Sequence, residues 1–211
     1  MNALSVQAQR ALGGAGASCL LVAALAWGLM APAAVQAQTA APAAGAAACP
    51  ALLNRTQLRL QDEAPQNLCQ YSGQVLMVVN TASYCGFTKQ YAGLEALQAK
   101  YSGRGFTVLG FPSNDFGSQE PKSNKEIADF CENTFNVKFP MFAKSVVKPG
   151  LPDQNPLFTD LIRQSDSAPR WNFHKYLVGR DGKVIEAFGS VTTPDSKALV
   201  AALEKALEAK P

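Results

Sequence analysis

Histidine is nearly absent from this chain, and so are the cysteine and lysine/arginine clusters that mark several common protein classes. The 211 residues include one histidine, five cysteines and no Cys-x-x-Cys pair. This excludes the usual zinc-binding patterns, so we expect no metal site. Lysine and arginine are scattered without a basic run, and the formal net charge is only +3. We therefore expect neither nucleic acid nor an anionic membrane as a partner.

The first 48 residues lack the large side chains that a packed domain needs. Residues 1–37 carry one charge, Arg10, followed by the apolar run 19–30 and the small-residue site Val35-Gln36-Ala37. This pattern predicts an export signal cut after Ala37. The run is shorter than the roughly 20 residues of a transmembrane helix, so an uncleaved anchor is the lesser alternative and no integral membrane segment is expected after cleavage. Residues 38–48 predict a flexible Ala/Pro-rich leader. We expect a periplasmic or secreted protein with one domain at 49–211.

The rest of the chain alternates between strand and helix patterns. Apolar runs at 74–80 and 105–111 predict buried strands, and a helical pattern at 88–101, with Thr88 as N-cap, joins them into a parallel βαβ unit. Further predictions are a helix at 123–133 capped by Ser123 and Glu126, a short strand at 139–144, a helix at 155–164, a hairpin of strands 173–179 and 184–188 around an Asp-Gly turn, and a last helix opening at Thr193-Pro194. This order predicts an α/β, thioredoxin-like fold with a central mixed β-sheet flanked by helices.

Cys85 is the leading candidate for a reactive group. It directly follows the first buried strand and precedes a helix, where unpaired backbone N–H groups and the helix dipole favour a thiolate. Local context alone leaves a buried, unreactive thiol equally open. A Cys-His pair with His174 is disfavoured, because alternation along the predicted strand turns His174 away from the residues beside it.

Three blocks of the sequence, in this order and spacing, resemble the glutathione peroxidase family. The blocks are Val78–Thr88 around Cys85, Gly110–Pro121, and Trp171–Val178. The resemblance covers about residues 57–208. Ser113 and Asp115 depart from the residues that many members carry, without removing a proposed catalytic group.

The resemblance implies a peroxidase in which Cys85 is the nucleophile and Gln119, Trp171 and Asn172 complete the active site. Their amide and indole N–H groups are neutral donors that can stabilise a thiolate and polarise the O–O bond of a hydroperoxide. Taken singly, each also has a structural interpretation: Trp171 as core, Asn172 as a turn residue, and Gln119 as loop surface.

The resemblance also bears on the other cysteines. Family members reduced by thioredoxin carry a cysteine at the position of Cys131, which makes it the candidate resolving residue that condenses with a Cys85 sulfenic acid. The other interpretation of Cys131 is a small apolar core residue. Cys49 and Cys69 both precede the catalytic core, so we hypothesise a structural disulfide between them, while the four cysteines beyond the signal allow three pairings.

Together these residues predict a thiol peroxidase that reduces hydrogen peroxide and organic or lipid hydroperoxides without a cofactor. A thioredoxin-like protein is the favoured reductant and partner, and glutathione is the alternative donor. Two other classes stay open: a redox sensor or disulfide relay that passes Cys85 oxidation to a partner protein, and an exported binding protein without catalysis. The short stretch between Met141 and Trp171 leaves little room for the insertion that tetrameric members use, so we expect a monomer.

Overall fold

Strands and helices alternate along the part of the chain that the structure, a computed structural model, describes: residues 49–209. The predicted signal, its cleavage site and the leader lie outside the described residues. The strands are β1 Thr56–Leu58, β2 Pro65–Asn67, β3 Val75–Thr81, β4 Phe106–Pro112, β5 Lys175–Val178 and β6 Val184–Phe188. The helices are α1 Gln90–Tyr101, α2 Asn124–Phe135, α3 Pro156–Ser165 and α4 Lys197–Glu208. None of these helices is both long enough and apolar enough to span a bilayer.

The central sheet is mixed and has the strand order β4-β3-β5-β6. Strands β3 and β4 are parallel, as the βαβ pattern predicts, while β5 runs antiparallel to both β3 and β6. The β5–β6 turn contains Gly182 at φ +76°, a left-handed conformation that glycine adopts without strain. A separate hairpin pairs β1 with β2, which the sequence did not reveal. The α/β, thioredoxin-like prediction is confirmed.

Strand β3 is buried on both faces and divides the core into two clusters. Val75, Met77 and Val79 lie in the cluster that also holds buried residues of α1, α2 and α4. Leu76 and Val78 lie in the cluster that holds the buried residues of α3. This follows from the alternation of side chains along a strand. The C-terminal end of this doubly covered strand carries the chain to Cys85.

Two predicted helix starts are wrong and two are confirmed, one of them that of α3, whose N-cap is Asn155. Helix α1 begins at Gln90, and its N-cap position, Lys89, makes no side-chain capping bond. Helix α4 begins at Lys197 with Ser196 as N-cap, several residues after the predicted start at Thr193-Pro194. The capping box at the start of α2 is present, with Ser123 and Glu126 bonded reciprocally.

The strand predicted at 139–144 is also wrong. Gly110 N–H donates to the Pro140 carbonyl and Phe142 N–H donates to the Gly110 carbonyl, both at 2.9 Å. Together they form one isolated bridge, between Gly110 and Met141, along the outer edge of β4. Pro140 has no N–H to extend the ladder, so the segment covers the edge without becoming a strand.

The beginning of the described chain is fixed to the end of the sheet that lies opposite Cys85. Cys49 and Cys69 form a disulfide with an S–S distance of 2.05 Å. Pro50 packs so closely on Gly182 that a side chain at Gly182 would collide with it. The register of β5 on β3 pairs Lys175 with Val79 and Val178 with Leu76. The β5–β6 turn therefore lies beside the start of β3, away from Cys85.

Candidate active site

Cys85 lies in a tight turn between β3 and α1 that Thr88 closes. The Cys85 N–H donates to Thr88 Oγ1 at 3.0 Å, and the Thr88 N–H donates to the Cys85 carbonyl at 3.0 Å. This use of the Thr88 hydroxyl explains why Thr88 does not cap α1. The Phe87 N–H donates to Cys85 Sγ at 3.4 Å, so a backbone donor of the turn contacts the sulfur.

The surface around Cys85 is partly open. Cys85 itself is 8% exposed, whereas its neighbour Tyr84 is 54% exposed. Gly86 is exposed as well. The thiol therefore lies just below the surface, where a small peroxide could reach it.

Gln119 reaches the Cys85 turn from the loop that follows β4. The Tyr84 N–H donates to the Gln119 carbonyl at 3.1 Å. The Asn172 Nδ2 group donates to Gln119 Oε1 at 3.1 Å and lies 3.4 Å from the Phe116 carbonyl. The Gln119 oxygen is held by Asn172, and the Gln119 NH2 group has no hydrogen-bond partner in the described part of the chain, so it can donate to a reacting group.

Trp171 borders the same loop. Its ring centroid lies 6.2 Å from that of Phe116, and 39% of the residue is exposed. A Cβ on Gly117 would lie 3.2 Å from the Trp171 ring and 3.5 Å from Gln119 Cγ. Gly117 has φ +66°, so both its conformation and the crowding favour glycine. The indole and the Gln119 side chain thus flank one point of the loop.

These contacts bring together three blocks that are far apart in the sequence. Gln119 adjoins the Cys85 turn, and Trp171 and Asn172 both contact the loop that carries Gln119. Asn172 differs from the expectation in one respect. It is fully buried, and its NH2 group is used on Gln119 and Phe116, so its geometry is that of a residue that orients Gln119.

Glu120 is a buried carboxyl group that the sequence analysis missed. Glu120 is 0% exposed, and the Ser83 hydroxyl donates to Glu120 Oε2 at 3.1 Å. Burial raises the pKa of Glu120, and the bond from Ser83 opposes that shift. The only sequence signal is its place between Gln119 and Pro121, which does not reveal burial.

Cys131 lies in the interior face of α2 and is 2% exposed. Cys85 and Cys131 are both free thiols. Burial raises the pKa of Cys131 to about 11, with the Tyr91 hydroxyl lowering it in part and Glu120 adding to the rise. Cys131 is therefore protonated and shielded while α2 is intact.

His174 has the geometry of a buried structural residue. Its ring centroid lies 4.7 Å from that of Tyr176. Burial, together with the charge of Lys175, lowers the pKa of His174 to about 4, and its Nε2 has no hydrogen-bond partner among residues 49–209. Within that range no group of three or more His, Cys, Asp or Glu side chains is placed to hold a metal.

Two further buried polar residues, Asn80 and Lys175, contact the Trp171–His174 segment, and the sequence analysis did not single them out. Asn80 Nδ2 donates to the Trp171 carbonyl at 3.2 Å, and Lys175 Nζ donates to the Phe173 carbonyl at 2.6 Å. Both are 0% exposed. A polar side chain within an apolar strand run is the one signal that could have found them.

Comparison with known proteins gives consistent matches. The family model described as glutathione peroxidase matches residues 54–162. A hydroperoxy fatty acid reductase of Synechocystis sp. is 46% identical over 156 residues, which cover 69% of this chain and 90% of that protein. A glutathione peroxidase-like peroxiredoxin of Schizosaccharomyces pombe is 47% identical over 139 residues, 64% of this chain and 87% of the relative. The apo crystal structure of a protein called Trgpx superposes with a TM-score of 0.60 at 33% identity, over 75% of this chain and 97% of the other.

Proposed function

The chain belongs to the glutathione peroxidase family, and on that basis we propose that it is a thiol peroxidase in which Cys85 reduces hydroperoxides. The observation that carries the proposal is the joining of three sequence blocks at one place. The backbone bond from Tyr84 to Gln119 attaches the Cys85 turn to the Gln119 loop. The bond from Asn172 to Gln119 attaches that loop to the segment carrying Trp171.

In the first step, the Cys85 thiolate attacks the terminal oxygen of a hydroperoxide. An S–O bond forms and the O–O bond breaks, so Cys85 becomes a sulfenic acid and the departing alkoxide takes up a proton to leave as an alcohol, or as water from hydrogen peroxide. The Phe87 N–H donates to the Cys85 sulfur. The free NH2 of Gln119 and the indole N–H of Trp171 donate to the reacting oxygens, while Asn172 keeps Gln119 in the donating orientation.

In the second step, Cys131 resolves the sulfenic acid. Its thiol attacks the Cys85 sulfur, which forms a disulfide and releases the sulfenic oxygen as water with the thiol proton. The burial and raised pKa of Cys131 support a mechanism in which α2 unwinds locally before this attack. A thioredoxin-like dithiol then reduces the disulfide and is itself oxidised. Glutathione is the alternative donor.

The substrate range that we propose includes hydrogen peroxide and organic or lipid hydroperoxides. The name of the Synechocystis relative, a hydroperoxy fatty acid reductase, supports the inclusion of lipid hydroperoxides. The exposed aromatic side chains of Tyr84, next to Cys85 in the chain, and of Trp171, at the Gln119 loop, offer apolar surface for such a substrate.

We further propose that the protein is exported and acts as a monomer in the periplasm or outside the cell. The signal-like residues 1–37 and the Cys49–Cys69 disulfide support export, because structural disulfides persist in oxidising compartments. Cell fractionation with mass spectrometry of the mature N-terminus tests the export and the cut after Ala37. Light scattering on the purified protein tests the monomer.

The experiment that tests the function measures peroxide consumption with thioredoxin and glutathione systems side by side. Wild type should turn over with the thioredoxin system, and Cys85→Ser should be inactive with both donors. Cys131→Ser should consume one equivalent of peroxide and then stop with the thioredoxin system. A wild-type protein that forms no sulfenic acid would contradict the peroxidase proposal. A mixed disulfide with a partner protein and little turnover would identify a relay instead.

A further inference from the structure

The Trp171–His174 segment is held by hydrogen bonds that come mainly from one residue, Asn80. The Asn80 side chain donates from Nδ2 to the Trp171 carbonyl at 3.2 Å and accepts the His174 N–H on Oδ1 at 3.1 Å. The Asn80 backbone accepts the Phe173 N–H at 2.6 Å and donates to the His174 carbonyl at 3.3 Å. Asn80 thus uses both its main chain and its side chain on the segment that carries Trp171 and Asn172.

Lys175 supplies the bond to the Phe173 carbonyl, which Asn80 does not reach. Its Nζ donates to the carbonyls of Phe173 at 2.6 Å and Thr192 at 2.8 Å. The residue is 0% exposed, and no acidic side chain in the described part of the chain forms an ion pair with it. Burial of an ammonium group without a carboxylate is unfavourable. Because the Lys175 amino group is buried at this cost, we infer that it has a specific role in holding the segment.

The clamped segment contains a strained residue. Phe173 has φ +64°, a left-handed conformation that a bulky side chain adopts only when its surroundings enforce it. Phe173 is also fully buried. The bonds from Asn80 and Lys175 lie on both sides of the Phe173 α-carbon, so they enforce this conformation. The direction of the preceding residues, Trp171 and Asn172, depends on it.

Asn80 also belongs to the strand that leads to Cys85. It is the next-to-last residue of β3, and the Cys85 turn follows directly. The same residue therefore fixes the Trp171 segment to the strand that carries the nucleophile. Geometry at an active site is maintained by such supporting bonds, and small displacements of a donor reduce rates strongly.

We propose that Asn80 and Lys175 are positioning residues of the peroxidase site, which clamp the Trp171–His174 segment so that Trp171 and Gln119, held by Asn172, face the Cys85 thiol. The proposal rests on the function proposed above. It predicts that loss of the clamp slows the reaction of Cys85 with peroxide and changes the surroundings of the Trp171 indole. The reduction of the Cys85–Cys131 disulfide by a dithiol should not change, because that step does not use the Trp171 donor.

The test uses the protein with Trp27→Phe; because Trp27 lies in the predicted signal, Trp171 is then the only tryptophan both before and after the proposed cleavage. The variants are Asn80→Asp, Asn80→Ala and Lys175→Met, with Asn54→Asp as a control because Asn54 is exposed. For each protein, stopped-flow measurements give the rate constant of Cys85 oxidation by hydrogen peroxide from pH 5 to 8. Trp171 emission and circular dichroism are recorded in parallel.

Asn80→Ala and Lys175→Met should each slow oxidation by about 10- to 100-fold, with a shift in Trp171 emission. Asn80→Asp keeps the acceptor for the His174 N–H but, when ionised, has no donor for the Trp171 carbonyl. Its rate relative to the background protein should recover at low pH, because a protonated carboxyl group can donate. Asn80→Ala should show no such recovery, and Asn54→Asp should match the background protein.

Three results would overturn the clamp. In the first, the Asn80→Ala and Lys175→Met proteins fold, their rate constants for Cys85 oxidation lie within twofold of that of the background protein, and their Trp171 emission is unchanged. In the second, Cys85 oxidation is slow in Asn80→Asp but normal in Asn80→Ala, which would show that a negative charge near the thiol, and not loss of the clamp, slows the reaction. In the third, the rate of disulfide reduction by the dithiol falls as much as the rate of Cys85 oxidation does. If Asn80→Ala does not fold, the nearly isosteric Asn80→Asp variant tests the clamp, through the recovery of its oxidation rate at low pH; no recovery would contradict the clamp. A background protein that forms no sulfenic acid would refute the peroxidase function itself.

Discussion

Weakening the first turn of α2 should accelerate disulfide formation between Cys85 and Cys131. Cys131 is 2% exposed, and burial raises its pKa to about 11. At pH 7 only about one thiol in ten thousand is then ionised while α2 is intact. Resolution therefore depends on states in which α2 has opened, and anything that populates those states should raise the rate.

The Ser123→Ala substitution opens α2 by a predictable amount. Ser123 caps the helix, accepts from the Glu126 N–H and completes a capping box with the Glu126 side chain. Loss of such a cap costs about 1 kcal/mol, which is a factor of about five in the population of the opened helix. If opening of the helix limits resolution, the rate of disulfide formation should rise up to about fivefold.

The assay is a single turnover with one equivalent of hydrogen peroxide, in which dimedone traps the sulfenic acid that has not yet been resolved. The matched control is Ser196→Ala, which removes the N-cap of α4. In both helices the cap hydroxyl lies 3.4 Å from the N–H that it accepts. An unchanged or slower resolution in Ser123→Ala, or an equal acceleration in Ser196→Ala, would refute control by α2.

Three further predictions concern stability. Replacing Cys49 and Cys69 together by Ser should lower the free energy of unfolding by about 3 kcal/mol, because the bond closes a loop across a sequence separation of 20; urea unfolding measures the loss, and peroxide turnover should persist. Burial lowers the pKa of Lys175 from 10.5 to about 7, so the unfolded chain binds the extra proton between these values and stability should rise with pH across that window; urea titrations at several pH values should show this slope in wild type and not in Lys175→Met. Gly110→Ala should destabilise the fold by about 1 to 3 kcal/mol, since the added methyl group meets the Met141 sulfur; an unchanged thermal midpoint would contradict this.

Local signals predicted those elements that local interactions determine. The run at 74–80 predicted β3 because its side chains are apolar on both faces, and the Asp-Gly pair predicted the turn between β5 and β6. The capping box of α2 was readable because both partners lie within one turn of helix. The wrong start of α1 has a cause that is local but that the sequence pattern does not distinguish from a cap. Thr88 resembles a cap in sequence, but its hydroxyl is bonded to the Cys85 turn.

The sequence, through the family resemblance, names the members of the candidate site but does not show their arrangement. Gln119, Trp171 and Asn172 were identified by resemblance, since nothing local reveals that Asn172 bonds a residue 53 positions earlier. Asn80 and Lys175 were not identified, because each lies in a stretch predicted to be a strand, and the strand pattern does not reveal which groups a buried polar side chain would bind. Their burial depends on the carbonyl groups of a segment that is distant from Asn80 in the sequence.

The position of Pro50 against Gly182 determines how the domain can be attached to anything else. The chain enters at the β5–β6 turn, and the seven residues of β3, about 23 Å of strand, separate that point from the Cys85 turn. A linker, tag or surface joined ahead of Cys49 would therefore hold the molecule with its thiol facing outward. Immobilisation through the N-terminal side should leave access for peroxide and for a protein reductant, whereas a bulky group fused near Tyr84 or Trp171 should obstruct both.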